Sequence, residues 1–490
     1  MKALSKIVLF ILIALTVTFQ VALSQKYDPT TRDIISNDGD ELYNRAPTPL
    51  PWITEEMNTT EFWVARMENP DAIILSVENI LTMNAKWLER LSQDEPFANE
   101  LEDRKPVIRN WWPGFTLRQM DLSRFNQAAL SDTVKSRINE QAEHMYKKPW
   151  GNALAVRYSM EDLKEFDDEL AYSTIPDRIS VKHGITVKPS RLRSVPSFAP
   201  MYPGIVQSTK ARWDQWTTTS LNIGSPVQIL HASLSGEFIF VLSNAGYFGW
   251  LRTENVAFAS KTVVDEFVSE SNFVMATMDR VQYYADPSCK YSSGWLGLGA
   301  KLPLASDSDP IMVKIPVRTT DGSLVVDTAW MKRDENCHIG YVPYTRRNII
   351  EIAFKQLNDP YDWTGGWFGR QHERAYSDLF ACFGFDLPKH ERLYTFFNDN
   401  NTKLVVKGSE EAEYLKAISE NEPFVTLQSC GGHCQLFIGN VNDKQITFDQ
   451  HGYGYEDENE EWWEVRRTNI GDMRMPKYFM KSTVKFLELR

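Results

Sequence analysis

The chain has 490 residues, of which 42% are hydrophobic, enough to build more than one buried core. Its formal net charge is −12 at pH 7, with 53 lysine and arginine residues against 65 aspartate and glutamate residues. Because binding to a phosphate backbone needs a basic surface, this balance argues against a nucleic-acid partner. Length and composition therefore predict a globular protein of about three compact units.

The N-terminus is typical of a secretory signal. Lys2 and Lys6 flank the start of an almost unbroken apolar run over residues 7–23, and small residues stand three and one positions before Gln25. We expect residues 1–24 to be cleaved on export to the periplasm or the extracellular space. No second apolar stretch follows, so we expect no stable membrane anchor after cleavage.

The next two regions differ in pattern. Residues 25–60 are polar and rich in proline, which predicts an extended tether or a strap on the surface. Residues 61–180 show helical periodicity, as in Leu130, Val134 and Ile138, and predict one mainly helical domain.

From residue 181 the pattern is that of β-structure. Short β-branched and aromatic runs recur about every ten residues between turn residues, a spacing typical of small closed barrels. We expect two such barrels in tandem, over residues 181–262 and 263–338.

The final unit, residues 339–490, begins with a helix that Thr345 caps and continues with a second helix that Gly384 ends. A strand-like segment and a hairpin around Asn442-Asp443 follow, so helices precede an antiparallel sheet. The predicted fold class is multidomain α+β: a helical N-terminal domain, two small β-barrels and a C-terminal α+β domain.

The cysteines are odd in number and too few for a disulfide scaffold; they are Cys289, Cys337, Cys382, Cys430 and Cys434. An exported protein with these cysteines can still form one or two disulfide bridges, and Cys289 with Cys337 is the pair to test. Asn58 and Asn400 stand in glycan-acceptor motifs, which matter only in a eukaryotic host.

Histidines in the final unit can meet in space. A hairpin centred on residue 442 puts His433 opposite His451, or opposite Gln450 if the register shifts by one, with Cβ atoms about 5 Å apart. His372 opens the second helix, where the positive end of the helix dipole would stabilise a thiolate.

Several segments resemble NlpC-type papain-like cell-wall peptidases. Residues 361–373 read Tyr-Asp-Trp-Thr-Gly-Gly-Trp-Phe-Gly-Arg-Gln-His-Glu and are similar to that family's active-site block. Further segments follow the family's order: Arg-Ser-Val-Pro at 193–196, Gly-Ser-Pro-Val at 224–227, Ile-Pro-Val-Arg at 315–318 and Gly-Tyr-Val-Pro-Tyr-Thr at 340–345. The resemblance, from about residue 60 to 475, implies a γ-D-glutamyl-L-diamino-acid endopeptidase architecture: an N-terminal stabilising domain, two bacterial Src-homology-3-like domains and a papain-like peptidase domain.

The resemblance also implies site residues. The family's Asp-Cys-Ser falls on Gln371, His372 and Glu373, so the nucleophilic cysteine and the aspartate that holds the substrate's free amine are replaced. The family's general base falls on His433, and the residue that orients it falls on Gln450 or His451. Tyr361 matches a tyrosine that faces the substrate.

Another cysteine would have to replace the missing nucleophile. Cys382 lies ten residues further along the helix of His372, about 15 Å away. Cys434 neighbours His433 on a strand and therefore points to the opposite face. Cys430 precedes a Gly-Gly turn and would approach His433 only if the loop folded back.

We therefore predict a monomeric, exported protein that binds peptidoglycan stem peptides and is catalytically impaired, because loss of a nucleophile costs on the order of 10⁶ in rate. Two alternatives remain: an active endopeptidase, and a metal-dependent hydrolase in which His372, His433 and His451 hold zinc and Glu373 acts as the base. Apart from that zinc, no cofactor is expected.

Overall fold

The structure is a computed structural model that describes residues 44–45, 47–91, 122–124, 126–147, 150–152, 156–203, 214–244, 246–363, 372–387, 402–405, 409–430, 433–451, 454–456, 462–472 and 484–490. The predicted signal peptide, Gln371 and Asn400 lie outside these residues. Of His372, Glu373, Cys430 and His451 the backbone is described and the side chain is not.

The described helices are α1 (Thr60–Val64), α2 (Val77–Leu91), α3 (Gln127–Tyr146), α4 (Met160–Glu169), α5 (Lys261–Val268), α6 (Arg346–Phe354), α7 (His372–Ala381) and α8 (Glu411–Ser419). None of these helices combines the length and the apolar character that a membrane-spanning helix needs. Two short sheets stand apart from the larger ones: β1 (Asn44–Arg45) pairs with a late strand pair, and β2 (Trp150–Gly151) pairs with β5 (Tyr202–Pro203).

The helical region contributes to two cores. Trp63 of α1 and Ile80 of α2 are buried against the C-terminal unit, whereas Val134 of α3 and Leu163 of α4 are buried against the first β unit. The segment before α1 differs from the predicted surface strap, because Leu50, Ile53 and Met57 belong to the C-terminal core, each at most 5% exposed. The helical region therefore divides between two cores, and the segment before α1 belongs to the C-terminal one.

The first β unit is one antiparallel sheet in the order β10-β3-β7-β8-β9-β4-β6. Its strands are β3 (Lys182–Thr186), β4 (Ser190–Arg193), β6 (Thr217–Leu221), β7 (Pro226–Ala232), β8 (Phe238–Ser243), β9 (Phe248–Arg252) and β10 (Val256–Ala259). One face builds an aliphatic core around Val227, Val241 and Leu251. The other face, with Trp216 and Trp250, is covered by α3 and α4.

The second β unit is an antiparallel sheet in the order β13-β12-β16-β15-β14-β11-β17. Its strands are β11 (Phe273–Ala276), β12 (Val281–Tyr284), β13 (Ser292–Leu296), β14 (Lys301–Ser306), β15 (Ile311–Arg318), β16 (Leu324–Met331) and β17 (Cys337–Ile339). The two seven-stranded sheets follow one another along the chain. The predicted domain boundaries stay predictions.

The C-terminal unit packs α6 and α7 on an antiparallel sheet in the order β18-β25-β19-β20-β21-β24. Its strands are β18 (Thr402–Val405), β19 (Thr426–Cys430), β20 (His433–Val441), β21 (Lys444–His451), β24 (Arg467–Asp472) and β25 (Val484–Glu488). In the small sheet of β1, β23 (Trp462–Glu464) lies in the middle and pairs with both β1 and β22 (Gly454–Glu456).

Local signals position these elements. Thr345 caps α6 by accepting a hydrogen bond from Asn348 N at 3.2 Å, and Gly384 follows α7 with φ +101°. Asn442 and Asp443, with φ of 50° and 59°, form the turn between β20 and β21, so the predicted hairpin is confirmed.

Candidate active site

A pair of hairpins brings the candidate residues to one end of the C-terminal sheet. Strand β19 ends at Cys430, and β20 begins at His433 as its direct antiparallel partner, with two glycines between them. Strands β20 and β21 are in register at Leu436 and Phe448. Continued to the strand ends, this register puts His433 opposite His451, the first of the two predicted arrangements.

His433 is held by a carboxylate. Its Nε2 lies 3.0 Å from an oxygen of Asp449, and the two residues are 7% and 3% exposed. Asp449 lies two residues before His451 on β21, so it shares a sheet face with His433 and lies diagonally across from it. Because an ionised carboxylate can only accept, Nε2 is the donor in this hydrogen bond.

The contact to His433 therefore comes from Asp449, which the sequence analysis did not single out. Gln450, one residue further along the strand, points to the opposite face, and its side chain makes no hydrogen bond with the described part of the chain. His451 shares the face of Asp449 by alternation, but its side chain lies outside the described residues. The sequence did hold a signal for Asp449. It is a carboxylate two residues before His451 on the same strand, and therefore on the same face.

Helix α7, which begins at His372, is fixed by the sheet. Tyr376 Oη donates a hydrogen bond to Phe448 O at 2.7 Å and accepts one from Leu436 N at 3.2 Å. The predicted inward residues Ala375, Leu379, Phe380 and Phe383 are all buried. The backbone of His372 thus lies one helical turn before the contact with β20 and β21.

Both β units also contact α7. Arg374 Nε donates to Asp378 Oδ2 at 2.8 Å, and the same guanidinium donates to Ser220 Oγ on β6 of the first β unit. From the second β unit, Gly299 comes so close that a Cβ there would lie 2.4 Å from Asp378 O. The position of the helix that starts at His372 therefore depends on both β units.

Tyr361 lies beside the same end of the sheet. Its backbone N–H donates to Arg466 O at 2.9 Å, and the preceding Pro360 bridges to Arg467. Arg467 is in turn the partner of His451 in the pairing of β24 with β21. Gln371 lies outside the described residues, so its predicted contact with substrate stays a prediction, as does that of Glu373.

The cysteines that the structure describes are free thiols. Cys382 and Cys434 are fully buried, and Cys382 Sγ donates to Ala276 O at 3.6 Å. Cys289 and Cys337 form no bridge, and burial raises the pKa of each thiol, which disfavours the thiolate. None of these four thiols has the character of an activated nucleophile.

The metal hypothesis finds no support in the part of the chain described here, where no three His, Cys, Asp or Glu side chains are grouped to hold an ion. Of the three histidines in that hypothesis, only the side chain of His433 is described. The three-histidine site therefore stays a prediction.

Comparisons with known proteins bear on the fold. Residues 206–252, within the first β unit, match the family model "SH3 domain (SH3b1 type)". The chain is similar in structure to an NlpC/P60 endopeptidase from Photobacterium damselae subsp. piscicida, with TM-score 0.67 and 16% identity over 91% of this chain and 99% of that one. An NlpC/P60 family protein from Bacillus cereus gives TM-score 0.42 and 15% identity over 62% of this chain and 98% of that one.

No curated protein sequence matches the chain. At 16% identity the structural likeness shows the fold and not the activity. The likeness nevertheless extends over nearly the whole of both chains. The protein therefore has the fold of an NlpC/P60 endopeptidase and carries an SH3b1-type domain match in its first β unit.

Proposed function

We propose that the protein is exported and binds peptidoglycan stem peptides at the end of the C-terminal sheet where His433 and Asp449 lie. The observation that carries the proposal is the buried hydrogen bond of 3.0 Å between these two side chains. A buried imidazole that a carboxylate orients is an arrangement that binding and catalytic sites use. The NlpC/P60 fold and the SH3b1-type match support the cell wall as the setting.

The proposal includes an impaired family mechanism. By the resemblance, the nucleophile position falls on His372, the first residue of α7. A histidine there lacks the thiolate that forms the acyl-enzyme, and loss of the nucleophile costs on the order of 10⁶ in rate. Substitution of the family aspartate by Gln371 removes the charge that would hold a free amine, so stem peptides with a blocked amine should bind as well as free ones.

Calorimetry with the purified protein and the peptide L-Ala-γ-D-Glu-diaminopimelate tests the binding. We expect the peptide to bind, and we expect His433→Ala to weaken this binding about tenfold or more. The variant removes the hydrogen bond between the imidazole and the charged Asp449 at the proposed site. The control is His338→Ala. His338 lies in the second β unit, and its side chain hydrogen-bonds Gly340 O in the described structure. The proposal fails if the peptide gives no heat of binding, or if both variants bind alike.

Hydrolysis of stem peptides is the second candidate function. The specific observation in its favour is that His433, the candidate general base, and a carboxylate in contact with it are both present. Mass spectrometry of the peptide after incubation separates the two functions. Cleavage only by the variant His372→Cys would support the impaired interpretation, and cleavage by the unaltered protein would favour the second candidate.

The zinc alternative is tested by elemental analysis after purification without chelators. One zinc per chain, lost in His433→Ala, would support it. Absence of stoichiometric zinc would remove it.

A further inference from the structure

The hydroxyl of Tyr376 contacts both of the strands that carry the candidate site. Tyr376 Oη accepts a hydrogen bond from Leu436 N of β20 at 3.2 Å and donates one to Phe448 O of β21 at 2.7 Å. Leu436 and Phe448 are direct partners in the pairing of these two strands. One fully buried side chain of α7 therefore holds both strands at a single register position.

The contact with Phe448 acts on the residue that follows it, Asp449. The carbonyl of Phe448 and the N–H of Asp449 belong to one planar peptide group, so a bond that fixes the carbonyl also restricts the backbone of Asp449. Neighbouring side chains of a strand point to opposite faces. The ring of Phe448 packs towards the helices, with its centroid 6.3 Å from that of Phe354 of α6, whereas Asp449 points to the other face and contacts His433.

The contact with Leu436 lies three residues after His433 on β20. Since His433 and Asp449 are diagonal neighbours across the strands, their distance of 3.0 Å depends on the register of β20 and β21. A hydroxyl that is bonded to both strands opposes any sliding of one strand along the other. We propose that Tyr376 is a positioning residue of the candidate site, because it fixes this register and with it the geometry of the pair of His433 and Asp449. The inference rests on the proposed binding site and names a residue that acts on it through the backbone.

The helix that carries Tyr376 is itself held from another side. Arg374 lies two residues earlier, about 200° around the helix. Its guanidinium donates to Asp378 Oδ2 at 2.8 Å and to Ser220 Oγ of the first β unit, and these three residues are at most 5% exposed. Because separating a buried ion pair leaves a charge without its partner, this arrangement resists movement of α7. The hydroxyl of Tyr376 therefore starts from a fixed point.

The variant Tyr376→Phe tests the inference, because it removes the hydroxyl and keeps the ring. The matched control is Tyr344→Phe. Tyr344 is buried in the same core, and its Oη donates to Leu489 O at 2.9 Å, a bond that involves neither β20 nor β21. Each variant loses one buried tyrosine hydroxyl, so both should lower the melting temperature to a similar extent.

The imidazole N–H signal of His433, recorded by NMR in protein labelled at histidine and identified by its loss in His433→Gln, reports on the pair. We expect Tyr376→Phe to shift this signal and to weaken binding of L-Ala-γ-D-Glu-diaminopimelate about fivefold or more, whereas Tyr344→Phe should do neither. The inference is overturned if Tyr376→Phe leaves the signal or the affinity unchanged, or if both variants alter them alike. If only Tyr376→Phe shifts the signal and the unaltered protein gives no heat of binding with the peptide, the positioning role stands and the proposed function fails.

A second pair of variants tests the anchor of α7 in the first β unit. Ser220→Ala removes an acceptor of the Arg374 guanidinium without changing the C-terminal unit. It should shift the same signal of His433 to a smaller extent than Tyr376→Phe does. The control is Ser243→Ala, which changes a fully buried serine on β8 of the same sheet and should leave the signal in place. An unchanged signal in Ser220→Ala would overturn the role given to this anchor.

Discussion

Each of the two β units has its own seven-stranded sheet, and the two sheets differ in what covers their outer faces. In the first unit, Trp216 and Trp250 are at most 1% exposed because α3 and α4 pack over them. Trp250 Nε1 also donates to Gln141 Oε1 of α3 at 3.0 Å. The aromatic face of this unit is therefore an internal surface.

In the second unit, the long hairpin of β15 and β16 leaves apolar side chains in contact with solvent. Val325 and Val326 are 48% and 44% exposed, and Tyr291 of the same unit is 67% exposed. The unit contributes Phe273, Met275 and Leu298 to the core of the C-terminal unit, and it shares a further core with Ile185 and Ala257 of the first unit.

This difference teaches that one β pattern in the sequence can build either a scaffold or a surface, depending on its neighbours. The first unit is fixed between the helices and α7, so a ligand cannot reach its aromatic face. The second unit keeps an outward face with exposed apolar side chains. Four measurements would test the contrast.

The largest expected effect comes from paired tryptophans. Trp250→Ala in the first unit should lower the free energy of unfolding by about 3–5 kcal/mol, because a fully buried ring leaves a cavity. Trp330→Ala, on the half-buried outer side of β16, should cost about 1–2 kcal/mol. Denaturant unfolding measures both, and equal costs would contradict the contrast.

Two ion pairs that differ in burial give the next largest effect on stability. Asp214 and Arg193 form a buried bridge of 2.6 Å in the first unit, with side chains 5% and 3% exposed. Asp214→Ala should cost about 3–5 kcal/mol because it leaves a buried guanidinium without its carboxylate. In the second unit, Lys314 and Glu270 lie 3.5 Å apart with side chains 42% and 32% exposed. There Glu270→Gln should cost less than about 1 kcal/mol, and a larger loss would show that exposure does not govern these pairs.

Acid sensitivity should arise in the first unit. Burial lowers the pKa of His231, whose Nε2 lies 3.3 Å from Leu170 O. Because the pKa of His231 is lower in the folded protein, the unfolded chain takes up the proton first as the pH falls. The contribution of neutral His231 to the free energy of unfolding is therefore complete above the unfolded pKa of about 6.5 and is lost as the pH falls below it. The melting temperature should therefore fall between pH 7.5 and pH 5.5, and His231→Gln should reduce that fall. An unchanged pH dependence in the variant would contradict the assignment.

The smallest effect concerns valines. Val326→Ser on the exposed strand β16 should change the free energy of unfolding by no more than about 0.5 kcal/mol. Val241→Ser, fully buried on β8, should cost about 2 kcal/mol or more because it adds a hydroxyl to an apolar core. Thermal unfolding of the two variants compares them directly, and a clear loss for Val326→Ser would mean that a partner or a further segment covers that strand.

Much of the candidate site followed from short-range signals. The Asn442-Asp443 turn fixed the hairpin of β20 and β21, Thr345 fixed the start of α6, and the resemblance led to His433. Asp449 was missed because the sequence analysis left two registers of the hairpin open, and a shift of one residue exchanges the two faces of a strand.

By itself, the sequence determined the kinds of elements, their order along the chain and the turns between adjacent strands, since these depend on local propensity and periodicity. Only the tertiary structure decided that the helices of residues 61–180 divide between two cores, and that the residues before α1 are buried. It also decided which carboxylate contacts His433. The physical reason is that burial and cross-strand register depend on partners distant in the chain, which no local pattern encodes.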